Sequence, residues 1–196
     1  MNIMNYQSKL SNGEFVLLSE INSPKGVDIF DFTANLRHLK SRVDAVVVSD
    51  MDNGVMHLGA LGAGSIIRQQ GLEPVIHVCG RDRNRMALQG DLLSAHVIGI
   101  RNIVVVDGED MANGDHPDAS SVNDLDEKEI LVMAKSLNSG TDLAGFDLKG
   151  ATDFFTGCQV TQIKDDAQIE EQVAAARSLV EAGAGFIILP PVYSED

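Results

Sequence analysis

The chain has 196 residues, is 44% hydrophobic and carries a formal net charge of −14. That hydrophobic share supports a sizeable core and argues against disorder, while the charge argues against nucleic acid and anionic membrane surfaces, both of which select basic patches. No apolar run is long enough to span a bilayer, and the opening "MNIMNYQSKLSNGEF" lacks the apolar core and cleavage pattern of a signal peptide.

Short, β-branched apolar runs recur along the chain. They are "FVLLSEI" (15–21), "AVVVSD" (45–50), "PVIHVC" (74–79), "NIVVVDG" (102–108), "DFFTGC" (153–158) and "GFIILPPV" (185–192). Amphipathic helices are expected over 59–70, 84–98 and 166–182, after the second, third and fifth runs. The first intervals between runs are each about 29 residues, the length of a strand–loop–helix–loop unit. The one long connection, 107–153, is rich in Asp, Gly, Asn and Ser and carries its own helix at 124–138. Continuous apolar strands alternating with helices predict a parallel sheet covered on both faces. Six strands fall short of the eight that close a (β/α)8 barrel. The expectation is an α/β chain of the TIM-barrel type with about six strand–helix units, forming one domain over 1–196. A truncated barrel, a short form whose open edge is covered by a partner, and an open doubly wound sheet all fit that count.

Cys79 and Cys158 are the only cysteines, so no disulfide framework or zinc spacing is present. The expectation is a cytoplasmic protein with two reduced, buried thiols. The five histidines, His38, His57, His77, His96 and His116, show no HxH or HxxxH spacing, and no metal site is expected.

Ligands of parallel α/β folds sit at the C-terminal ends of the strands. Those ends carry Glu20, Ser49-Asp50, His77 with Arg81-Asp82 beyond it, Asp107-Gly108-Glu109, and Thr156-Gly157. Glu20 is either a proton donor at the mouth or a solvated edge carboxylate. His77, between Ile76 and Val78, is either a satisfied core histidine or a ligand contact. Asp82 or Asn84 suits the N-cap of the helix that follows. Arg81, Arg83 and Arg85 either pair with carboxylates of so acidic a chain or hold a phosphate. "GALGAG" (59–64) has no phosphate-loop context and reads as close helix packing; neither GxGxxG nor GxxxxGK[ST] is present in a nucleotide-binding context.

The segments "LSEINSPKG", "VDAVVVSD", "GLEPVIHVCGRDRNRMALQGDLLSAHVIGIRNIVVVDGED", "GDHPDASSVNDLD", "LNSGTDLAG" and "EAGAGFIILPPVYSED" follow one another as in the methylenetetrahydrofolate reductases. The chain resembles that family from about residue 14 to its end, most specifically between Arg81 and Asp110. The resemblance implies a (β/α)8 barrel binding FAD at its C-terminal mouth. It also implies reduction of 5,10-methylenetetrahydrofolate to 5-methyltetrahydrofolate with electrons from NADH or NADPH. Glu20 corresponds to the acid that helps open the folate imidazolidine ring, and Glu109 to an aspartate that influences the flavin and the folate. Ser49, His77, Asp107, Gly108 and Val122 correspond to cofactor-binding positions.

Other positions depart from the family pattern. Leu189-Pro190 replaces a Thr-Gln pair that ends strand six, and Leu179 replaces a lysine that helps hold the FAD diphosphate. Gln172, Ala175 and Thr161-Gln162 differ as well, and Asp107 adds a negative charge. The implied partners are a folate substrate and a second copy or subunit covering the open barrel edge. Alternatives to the FAD-dependent reductase are a non-catalytic or altered-ligand accessory paralogue and a flavin-free pterin-binding methyltransferase.

Overall fold

The computed structural model describes residues 6–160 and 169–191. Six strands, β1 (Leu18–Glu20), β2 (Ala45–Val48), β3 (Pro74–Cys79), β4 (Asn102–Val106), β5 (Phe155–Gln159) and β6 (Phe186–Ile188), form one sheet in chain order. Every neighbouring pair is parallel. The helices are α1 (Tyr6–Ser11), α2 (Phe30–Leu39), α3 (Ala60–Gln69), α4 (Arg85–Val97), α5 (Glu127–Asn138) and α6 (Ile169–Ala182). The sheet curls into an incomplete (β/α)8-type barrel, with β1 and β6 as its edges.

Alternation along the strands divides the apolar residues into two cores. Ile76, Val78, Ile103, Val105 and Cys158 point outward and pack with Leu88, Leu92, Ile130 and Leu137 of the helices. Ala45, Val47, Val75, Val104 and Phe186 point inward. This is why β2 reads as an unbroken apolar run: each face of the sheet is covered there. Tyr6 of α1 plugs the N-terminal end of the concave face, 5.3 Å from Phe186 and 5.8 Å from Phe155 between ring centroids. Burial, followed by the charge of Glu73, pushes the Tyr6 phenol up to about 12.

The expected helices at 59–70, 84–98 and 124–138 agree with α3, α4 and α5 to within a few residues; of the helix expected over 166–182, the described part is α6. Gly64 in "GALGAG" is a packing glycine, since a Cβ there would stand 2.7 Å from Ile76 Cγ2 and 2.9 Å from Ile100 Cδ1. The first strand is shorter than its apolar run: Phe15 is 88% exposed, and only Leu18–Glu20 pairs with β2. Two helices carried too little apolar pattern to be read. In α1 the single buried residue is Tyr6, and in α2 the buried pair is Phe32 and Leu36. Among the described residues no helix is long and apolar enough to cross a membrane.

Candidate functional site at the strand mouth

The C-terminal strand ends bring Glu20, Ser49 and His77 to the concave face. The register pairs Glu20 with Val47 and Val48 with Ile76, so the next step sets Ser49 beside His77. Ser49 is buried. Glu20 is exposed as a residue, yet partial desolvation by the strand ends, and then the charge of Asp52, raises its pKa. Burial lowers the pKa of His77, against the opposing pull of Asp52 and Asp50, so its imidazole is neutral at neutral pH.

Asp52 is the site residue that sequence reasoning missed. It opens a 3-10 turn, Asp52–Gly54, after β2. Met51 (φ 50°) and Asn53 (φ 54°) are both left-handed there, which side-chain-bearing residues adopt rarely and at a cost. The turn is held from outside: Arg81 Nη2 donates to the Met51 carbonyl at 3.1 Å, and the Asn53 N–H donates to Glu109 Oε2 at 2.7 Å. "SDMDNG" in "VVVSDMDNG" was the available signal, since Asn and Asp tolerate this conformation better than other residues.

The arginines settle the choice that sequence left open: all three are tied to carboxylates. Arg81, 4% exposed, forks onto Asp82 at 2.7 and 2.8 Å and also donates to the Glu109 carbonyl at 3.0 Å. Arg83 pairs with Asp50 at 2.6 Å and Asp91 at 2.9 Å. Arg85 forks onto Asp124 at 2.9 Å through both Nε and Nη2. Asn84, rather than Asp82, caps α4, its Oδ1 accepting from the Met86 and Ala87 N–H groups at 3.1 and 3.0 Å.

Beyond β3 and β4 lies a cleft of about 600 Å³. Asp107, Gly108, Glu109, Asp110, Asp126 and Glu127 line it, with Arg81 as the one cation among its described lining residues. Burial, then Asp107 and Asp126, raises the pKa of Glu127. Gly108 has a structural reason to be glycine, because a Cβ would meet Cys79 Sγ at 2.6 Å and Arg81 Cβ at 2.7 Å. Val122 is 45% exposed, and its N–H donates to the Arg81 carbonyl at 2.6 Å. Of the predicted positions, Glu20, Ser49 and His77 gather on the concave face, and Asp107, Gly108 and Glu109 gather in the cleft. Val122 is not among the residues lining the cleft, although its neighbours Ser121 and Asn123 are.

The family model for methylenetetrahydrofolate reductase matches residues 5–196. The chain belongs to this family. The family is one of folate-linked one-carbon reductases, and the curled sheet agrees with its barrel fold. No curated protein matches. Among solved structures, one described as a monomeric dihydrodipicolinate synthase variant is similar, with 15% identity, a TM-score of 0.41, and coverage of 89% of this chain and 68% of the other.

Within the methylenetetrahydrofolate reductase frame, the substituted positions divide. Leu179 is buried in the outer core between α6 and the sheet, and its side chain offers no cation to a diphosphate. Leu189 is 66% exposed just past β6 and offers no hydrogen-bonding group of its side chain to a folate. Gln172 is half-buried and Ala175 exposed on α6; Thr161-Gln162 lies outside the described residues. The family's FAD requires partners for an uncharged ring and for a charged diphosphate. Ser49 and the neutral His77 suit the ring. The described residues do not suit the diphosphate, because the cleft is acidic and its guanidinium is already paired. Among the described residues no group of three or more His, Cys, Asp or Glu is placed to hold a metal ion.

Proposed function

We propose that the chain reduces 5,10-methylenetetrahydrofolate to 5-methyltetrahydrofolate at the mouth of its sheet, with Glu20 as the acid. One observation carries this reading beyond family membership. A carboxyl at the end of β1 is held above the ordinary carboxylate range by desolvation and by Asp52. Opening the imidazolidine ring to an iminium requires protonation of an amine leaving group, and an acid with a raised pKa keeps its proton nearer to neutral pH. Ser49 and His77, polar and uncharged beside it, suit a planar ring system. The resemblance assigns the hydride to NAD(P)H by way of FAD; the ring half of that assignment has support at the mouth and the diphosphate half has none among the described residues.

Replacing Glu20 by Gln removes the proton while keeping the shape. Folate turnover is expected to fall by roughly 10²–10⁴-fold, with ligand binding kept within about threefold. Turnover of the Glu20→Gln protein within twofold of the parent would exclude the acid role. The direction with pH is fixed: the active form is protonated, so kcat/KM falls as pH rises through the Glu20 value.

A second reading is favoured by the acidic cleft and by leucine at position 179, where the family resemblance implies a lysine. The chain would then be an altered-ligand paralogue that keeps the scaffold as an accessory subunit. A visible spectrum of the purified chain after incubation with FAD separates the two, since a protein that stays colourless supports the second.

A further inference from the structure

We propose that this mouth recognises its ligands by their rings and not by their phosphates, so that the diphosphate of FAD adds less than about tenfold to the affinity of riboflavin. The inference rests on the flavin reading above only for the comparison of flavins; its electrostatic content stands apart from it.

Proteins hold a diphosphate with cations and with the free N–H groups of helix N-termini. Among the described residues at this mouth, the three arginines and several of the first-turn N–H groups are already taken by the chain's own carboxylates and amide oxygens. At α3, the Ala60 N–H donates to Asp50 Oδ1 at 2.9 Å. At α4, Asn84 takes two N–H groups, and the Arg85 N–H donates to Asp124 Oδ2 at 2.8 Å. At α5, Asp126 accepts from the Glu129 N–H at 2.8 Å while Glu129 accepts from the Asp126 N–H at 2.9 Å. These carboxylates also offset the positive ends of their helices. Arg81, Arg83 and Arg85 are each paired, and moving one onto a phosphate would leave behind an unpaired carboxylate such as Asp50, which is 8% exposed.

The cleft that remains repels an anion. Asp107, Glu109, Asp110, Asp126 and Glu127 face it against Arg81 alone among the described lining residues. The concave face differs in character, with a buried Ser49 hydroxyl beside a neutral His77. The two halves of the mouth therefore sort a dinucleotide into a ring that suits it and a tail that does not.

The test titrates the full chain with riboflavin and FAD by fluorescence at low and high salt, and with inorganic pyrophosphate by calorimetry. One charge-assisted phosphate contact strengthens binding by roughly tenfold to a hundredfold. The expected result is FAD less than tenfold tighter than riboflavin, with its affinity flat or rising with salt, because salt screens repulsion. Pyrophosphate should give no binding up to about 1 mM, on the same electrostatic grounds. Neutralising the cleft with Asp107→Asn and Asp110→Asn together should raise FAD affinity relative to riboflavin by at least about threefold. FAD tenfold or more tighter than riboflavin, or pyrophosphate binding below about 1 mM, overturns the proposal. If neither flavin binds and pyrophosphate is silent, the exclusion of phosphates stands and the flavin reading falls.

Discussion

A carboxyl group serves as an acid only while it keeps its proton, and at Glu20 burial and then a charged neighbour favour that. Desolvation raises the pKa of Glu20 and Asp52 adds to it; Asp52 also pulls that of His77 upward, against the burial that lowers it. Asp52→Asn should therefore lower both values, moving Glu20 toward the ordinary range and His77 further from it. NMR titration of the two side chains checks this, and a rise in either would exclude Asp52 as their common neighbour. Glu20, Ser49 and His77 were legible because they are polar residues at the ends of apolar runs. Asp52 was not, because its role comes from a left-handed turn that Arg81 and Glu109 hold from two other strand ends. The arginine cluster was ambiguous for a related reason: Asp50 and Asp124, the carboxylates that satisfy Arg83 and Arg85, lie 33 and 39 residues away in the chain.

Elements with a strong apolar period were readable, and those held by one or two contacts were not. In α5 the buried Ile130, Leu131, Ala134 and Leu137 mark the face directly, and Asp126 with Glu129 forms a capping box at its start. The role of Tyr6 in α1 depends on Phe155 and Phe186, residues almost the whole chain away. At this scale the clearest test is Gly64 in α3. A methyl group there would press on Ile76 and Ile100 inside a close-packed layer. Gly64→Ala gains helix propensity of about 1 kcal/mol but overpacks at a cost of about 1–3 kcal/mol. The net expectation is destabilisation, read as a lower Tm in thermal unfolding. An exposed comparison, Gly90→Ala in α4, has open space around its Cβ and should be stabilising.

For the molecule as a whole, a charge of −14 makes stability depend on where the carboxylates are paired. Asp44, beside Lys9 and the Leu17 N–H, and Asp124, beside Arg85, are held below the ordinary carboxylate range. Asp115, beside Lys25, His116 and the Met56 N–H, is lowered as well. Groups with depressed values contribute stability above their unfolded pKa and lose it as pH falls through the folded one. Glu20 and Glu127 act in the opposite sense: their raised values favour folding at low pH, and that contribution is lost as pH rises through them. The midpoint of thermal unfolding should therefore drop below about pH 4, where the paired aspartates protonate. Because these pairs are exposed, the drop should become shallower in about 1 M salt. A midpoint flat from pH 5 to pH 2 would show that the pairs contribute nothing.

The sequence by itself determined the α/β class, the strand–helix alternation and the end of the strands at which the mouth lies, while the chain-order sheet came from the structure. Alternation of apolar runs and helices at a regular interval is a local property, and parallel strands aim their C-terminal ends at one rim. Tertiary structure alone decided what that rim can hold. It placed Asp50 opposite Arg83 and the N-terminus of α3, placed Asp124 opposite Arg85 and the N-terminus of α4, and turned Leu179 into the outer core. Charge pairing and burial depend on distances through space, which a chain pattern read one segment at a time does not contain.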